Sequence, residues 1–260
     1  MVANSQLFLL IFVRILALLE VAPLVSSTAI PQLPRIALAF LSAIVIFPNA
    51  MELGYAIPDT GLAYVGLLIG EIMLGLIQAF FLVLIFSSFQ VAGQFFSLQM
   101  GFGASQVFDP LAQVQIPLMG QFLNVLAMFT FISVNGFPYI FLVGVDRSFQ
   151  AVRAVDLLGH EEYLFEMLLN GLSMLFLQAL IIALPILGTL MLISVSMGLM
   201  SKAAPQMNLL MMGFPISIGV AFLMLFICLP FIMEAFAGVI QWSFEEILKM
   251  LDTVSSGGPA

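Results

Sequence analysis

Residues 72–108 read IMLGLIQAFFLVLIFSSFQVAGQFFSLQMGFGASQVF, which is 37 consecutive positions without a charged side chain between Glu71 and Asp109. A helix crossing the hydrocarbon core of a bilayer needs about 20 apolar residues. The stretch is too long for one ordinary span and too short for two spans joined by a soluble loop. The mismatch recurs at residues 110–145, 167–201 and 203–233, which are 36, 35 and 31 uncharged positions. Kinked or re-entrant helices would account for it. Long helices packed on other subunits, and not on lipid alone, would account for it equally.

The rest of the chain agrees. Of its 260 residues, 63% are apolar and 8% charged, against about 45–50% and about 25% in soluble proteins. The mean hydropathy is +1.21. A soluble domain, a disordered tail and a collagen-like fibre are excluded. The single Cys and single His argue against a disulfide framework, a zinc site or a haem site, so no cofactor is expected. A net charge of -8 is the wrong sign for a nucleic-acid partner.

Helices are predicted at Leu7–Leu19, Leu33–Phe47, Leu62–Phe96, Ile116–Val134, Tyr139–Val155, Leu164–Leu199, Asn208–Cys228 and Phe231–Leu251. Breaks are placed at Pro23, Pro31 and Pro34, at Pro48 through Gly61, and at the Asn135-Gly136 turn, whose residues favour positive φ. Pro185 predicts a kink. The fold class is thus an all-α integral membrane protein of about eight long, kinked apolar helices forming helical hairpins. Residues 1–252 read as a single membrane domain and 253–260 as a flexible C-terminal tail. The N-terminus lacks the basic region and cleavage site of a signal peptide. Residues 146–166 hold the one strongly hydrophilic segment, which reads as a solvated loop or as a partner-docking face.

An enzyme is not expected. His160 stands among Glu161 and Glu162 with no second His, Cys228 lies in an apolar run, and no HExxH, GxSxG or glycine-rich phosphate loop is present. Glu71 and Glu234 are the carboxylates in apolar surroundings, and an ionisable group at such a position is a functional candidate. Gly66 and Gly70 precede Glu71 at a spacing that lets helices approach closely. Arg14 is the partner that chemistry suggests for Glu71. Either an assembly contact or an ion-handling role fits.

Seven of the 14 Gln lie between 90 and 121. Gln90, Gln94, Ser97 and Gly101 share one helical face, with Gln99 close by. Interhelical hydrogen bonding and a polar conduit wall are the two readings. The helix must end near Gly101 or Gly103, because Asp109-Pro110 follows. The loop beyond carries Phe102, Val107 and Phe108, so it is expected to be buried in protein or to line a cavity. A methionine cluster, Met191 to Met212, flanks Lys202-Ala203-Ala204-Pro205 and suits either core filling or an adaptable surface.

At these positions the chain resembles the FliR/SctT family of type III secretion export-gate subunits. The resemblance rests on Val21-Ala22-Pro23, Ile30-Pro31 and Arg35 to Ala39. It continues through Ala92-Gly93, Leu98 to Gly101, Phe108-Asp109-Pro110, Ile116-Pro117 and Asn135-Gly136. It ends with Ala204 to Asn208 and Gly213-Phe214-Pro215. Gln94 stands where many relatives carry an acidic residue, and Phe137 where some carry His. The resemblance implies a gate subunit in the inner membrane at the bacterial flagellum basal body, within a helical assembly. FliP and FliQ would be its pore-forming partners, FlhB an associated one, and unfolded flagellar subunits the cargo of protein export. It also implies that Gly101, Phe102, Gly103, Val107, Phe108, Asp109 and Pro110 belong to a pore plug. A small-solute or ion transporter is the rival class; it would want charged groups at broken helices.

Overall fold

The computed structural model describes residues 2–23, 25–26, 30–55, 57–58, 60–101, 118–157, 159–204 and 209–255. Seven helices are formed among them, and no strand. They are α1 (Val2–Val21), α2 (Gln32–Glu52), α3 (Gly61–Gln99), α4 (Leu118–Ser133), α5 (136–151), α6 (Glu161–Ala203) and α7 (Leu209–Ser255). The middle of α5, Ile140–Arg147, is π-helical, and a 3-10 turn, Ala154–Leu157, follows it. Five helices are long and apolar enough to cross a membrane, and up to six if α4 and α5 form one broken span.

The helix count is one lower than the sequence predicts, because Pro230 does not divide residues 209–255. Pro48 likewise lies inside α2, whose predicted end is Phe47. A proline removes one N–H and crowds the carbonyl four residues back. Where no water competes for the other backbone groups, leaving the helix would orphan many more of them, so the helix continues. The hydroxyls obey the same rule. Thr130, Ser133, Thr189 and Ser194 each donate to the carbonyl four residues before. These bonds satisfy the hydroxyls without water.

Two compact units are built from interleaved segments. The first comprises residues 1–85, 135–172 and 240–260; the second comprises 86–134 and 173–239. In the first unit α1 lies along α2 as a hairpin, with Phe8 edge-on to Phe40 and Phe47 at 5.3 and 5.9 Å. The predicted break between the two helices is real, and Arg35 spans it by bonding Glu20 at 3.2 Å and the Ile30 carbonyl at 2.8 Å. In the second unit the Phe89 and Phe236 rings meet at 3.8 Å, tilted by 40°, and Phe86 lies 5.6 Å from Phe131. The outside of α6 and α7 is apolar too: Leu192 is 70% exposed and Phe226 76%.

Candidate functional site

The first unit encloses a charge cluster. Arg14 projects from α1 and Glu71 from α3, and both are essentially inaccessible, at 1% and 0% exposure. Arg14 Nε donates to Glu71 Oε2. Its two terminal nitrogens donate to Ser148 Oγ at 3.1 Å and to the Val152 carbonyl at 3.0 Å, and its guanidinium lies 3.8 Å above the Phe149 ring. Glu71 accepts a second hydrogen bond from the Tyr55 hydroxyl, whose oxygen accepts the Ala154 N–H at 3.4 Å. A buried charge is tolerated when its partners are this complete.

Glycines let the backbones close around the cluster. A Cβ at Gly70 would stand 2.6 Å from Ala154 Cβ, and one at Gly75 would strike the Arg14 carbonyl and Ala17. Gly66 faces open space. The close approach expected before Glu71 is therefore made by Gly70 and Gly75, and Gly66 takes no part. The hydrophilic segment 146–166 divides similarly. Arg147, Arg153, Glu161, Glu162 and Glu166 are exposed, whereas Ser148, Phe149, Val152 and Ala154 are buried over the ion pair.

Tyr55 lies between α2 and α3 and borders a polar cavity of about 490 Å³ that Arg153, Asp156 and His160 also line. Burial first, and then the adjacent Glu71 carboxylate, pushes the Tyr55 phenol well above its usual range. It remains a hydrogen-bond donor at ordinary pH.

The second unit carries the glutamine candidates. Gln90 and Gln94 are exposed along α3, and Ser97 is buried. Gln99 is exposed and bonds Ser194 Oγ at 3.2 Å. Glu234, expected to be a buried charge like Glu71, is exposed on α7, and the nearest glycine on that helix, Gly238, faces open space. Gly101 follows the end of α3 with φ +92, in the left-handed region where a side chain is strained. The Phe214 ring occupies the space a Cβ would take there. Phe102, Gly103, Val107, Phe108, Asp109 and Pro110 lie outside the described residues. Among the described residues no group of three or more His, Cys, Asp or Glu is placed to hold a metal.

Sequence reasoning pairs Arg14 with Glu71 by chemistry alone. It misses Tyr55, Ser148 and Gly75. Gly75 stands four residues after Glu71, as Gly70 stands just before it, and is the one legible signal; Tyr55 and Ser148 sit in segments with no pattern tying them to Glu71.

Five helices long and apolar enough to cross a membrane, with a buried charge pair in the first unit, define an all-helical membrane protein. Residues 5–242 match the bacterial export proteins, family 1, and the chain belongs to that family. It is 29% identical over 255 residues to the flagellar biosynthetic protein FliR of Bacillus subtilis, covering 95% of each chain. It is 31% identical over 256 residues to the FliR protein of Borreliella burgdorferi, covering 98% of this chain and 94% of that one. The FliR protein of Escherichia coli is 26% identical over 246 residues, with 95% and 91% covered.

Proposed function

We propose that this chain is a subunit of the flagellar type III protein export gate. With FliP and FliQ it would form the pore through which unfolded flagellar subunits cross the bacterial inner membrane at the basal body, with FlhB associated. The observation that carries the reading is the end-to-end match to flagellar biosynthetic proteins, at 95% of both chains for the Bacillus subtilis relative. Three helices of 39, 43 and 47 residues support it. Each exceeds the roughly 20 residues that lipid can cover, and protein neighbours would cover the remainder.

Residues 101–117 act as the plug in this reading. Gly101 supplies a bend that only glycine accommodates, and the apolar bulk of Phe102 and Phe108 excludes water. Gln90 and Gln94 offer uncharged polar groups to a passing chain, and Gln99 sits one turn further on. Arg14 and Glu71 hold the subunit in its assembling form. The role needs no catalytic group and no cofactor, and residues 1–252 serve it as one domain.

The test is purification of the tagged chain from the membrane of a flagellated cell. FliP-like and FliQ-like proteins should co-purify, and the chain made alone should aggregate or be degraded. A monodisperse monomer, stable in mild detergent with native helicity, would contradict the proposal.

A further inference from the structure

We propose that the Ile140–Arg147 segment has two registers, and that the Arg14–Ser148 hydrogen bond is the latch that holds the π form. π-helices are rare, mostly confined to a single turn, and often functional where they occur. This one runs for eight residues, so something must hold it.

Ser148 is the holding group at its C-terminal end. Its hydroxyl proton is shared between the Gly144 carbonyl at 2.8 Å and the Val145 carbonyl at 2.9 Å, while its oxygen accepts from Arg14. Arg14 is itself fixed by Glu71 and the Val152 carbonyl. Charge-assisted hydrogen bonds are the stronger kind, and a chain of them polarises its members. The ion pair thus reaches the π turn through one hydroxyl.

Gln78 points to the second register. It is fully buried, and neither its amide nitrogen nor its amide oxygen has a hydrogen-bond partner among the described residues. Its oxygen lies 3.9 Å from where a Cβ at Gly144 would stand, so it faces the backbone that glycine leaves bare. An unpaired buried amide is costly and calls for an explanation.

Returning residues 140–147 to α register would rotate Ser148 away from Arg14. It would also turn a different edge of the Gly144 backbone toward Gln78. The π form keeps the Arg14–Ser148 bond and leaves Gln78 orphaned; the α form would give up that one bond and offer Gln78 a backbone partner. Two packed arrangements with offsetting polar losses make a bistable element. The buried Val152 and the 3-10 turn Ala154–Leu157 follow directly, so the change would displace the lid over Glu71.

The experiment is amide hydrogen exchange on the full chain in its membrane complex, comparing peptides from 136–151 with peptides from 61–85. Ser148→Ala should raise exchange in 136–151 roughly tenfold or more, leave 61–85 unchanged, and be rescued by Ser148→Thr. Gln78→Leu removes the orphaned amide. It should slow exchange in 136–151 and cancel most of the rise in the double variant. Gly144→Ala is a milder probe, because its Cβ meets Leu18 at an ordinary 3.4 Å. It should screen the backbone from Gln78 and also slow exchange. Unchanged exchange in Ser148→Ala, an equal rise in peptides from 61–85, or faster exchange in Gln78→Leu or Gly144→Ala would overturn the proposal.

Discussion

The two units solve the same problem with different chemistry. Around Glu71 the first unit brings helices together by burying charge and saturating it with hydrogen bonds. Around Gly93 the second unit uses bare backbone: a Cβ there would stand 2.5 Å from Gly120 Cα, and the unit's other contacts include tilted Phe pairs. Polar pairing specifies one partner and fails sharply when that partner is lost. Apolar packing loses stability in proportion to the volume disturbed. The first unit should therefore answer to charge and pH, and the second to size.

The largest effect should come from Glu71→Ala. It leaves Arg14 charged and buried, at a cost of about 3–5 kcal/mol, and should abolish assembly as read by co-purification. Replacing Arg14 by Met and Glu71 by Leu together removes both charges, and the double variant should recover much of the loss. An assembled Glu71→Ala complex of unchanged stability but altered pH-dependent transport would instead make Glu71 an ion site and break the comparison.

Next comes Gly93→Ala in the second unit. The added methyl must push the α3 and α4 backbones apart, which costs about 1–3 kcal/mol for overpacking. Thermal denaturation of the complex in detergent should show the loss at every pH. A pH-dependent loss would mean that charge matters in both units.

Tyr55→Phe should be smaller still. It removes one of two donors to Glu71, at about 1–3 kcal/mol, partly offset because Tyr55 borders an open cavity. The pH dependence has a definite sign. The folded-state phenol titrates above its unfolded value of 10.0. Its contribution is therefore complete below about pH 10 and is lost as the pH rises further. The wild-type protein should lose stability as the pH rises from about 10 upward by more than Tyr55→Phe does, in matched melting curves.

The smallest effect belongs to Arg147 and Asp252, an exposed pair 3.7 Å apart. A double-mutant cycle should return at most about 1 kcal/mol, falling with added salt. A coupling as large as that of Arg14 and Glu71 would erase the distinction between buried and exposed pairs.

What the sequence makes legible follows from physics that acts locally. An uncharged run of 37 residues is long enough to hold an apolar helix in a non-aqueous setting, and α3 fills it as far as Gln99, so helix type and approximate position are readable. A carboxylate set among glycines in such a run marks Glu71. Glu234 sits in equally apolar sequence yet is exposed, because residue order does not reveal which face a neighbour covers. The expected break at Pro230 fails for a related reason. A proline's cost is local, but the alternative open to the backbone depends on the medium. Tyr55 and Ser148 are illegible because they reach the ion pair only through folding, 16 and 77 positions away from Glu71. The glutamines read as one polar face, but folding buries Ser97 and leaves Gln90 and Gln94 outside.

The gate reading stands or falls on closure. A pore wide enough for an unfolded chain must be sealed when idle, and residues 101–117 are the proposed seal. The decisive measurement is ion conductance, or small-solute uptake, in cells that make the whole gate without active export. The comparison is between the unaltered chain and one with Phe102 and Phe108 both changed to Gly. The account predicts a complex that assembles normally and leaks. A complex that assembles normally and stays as tight as the unaltered gate would contradict it.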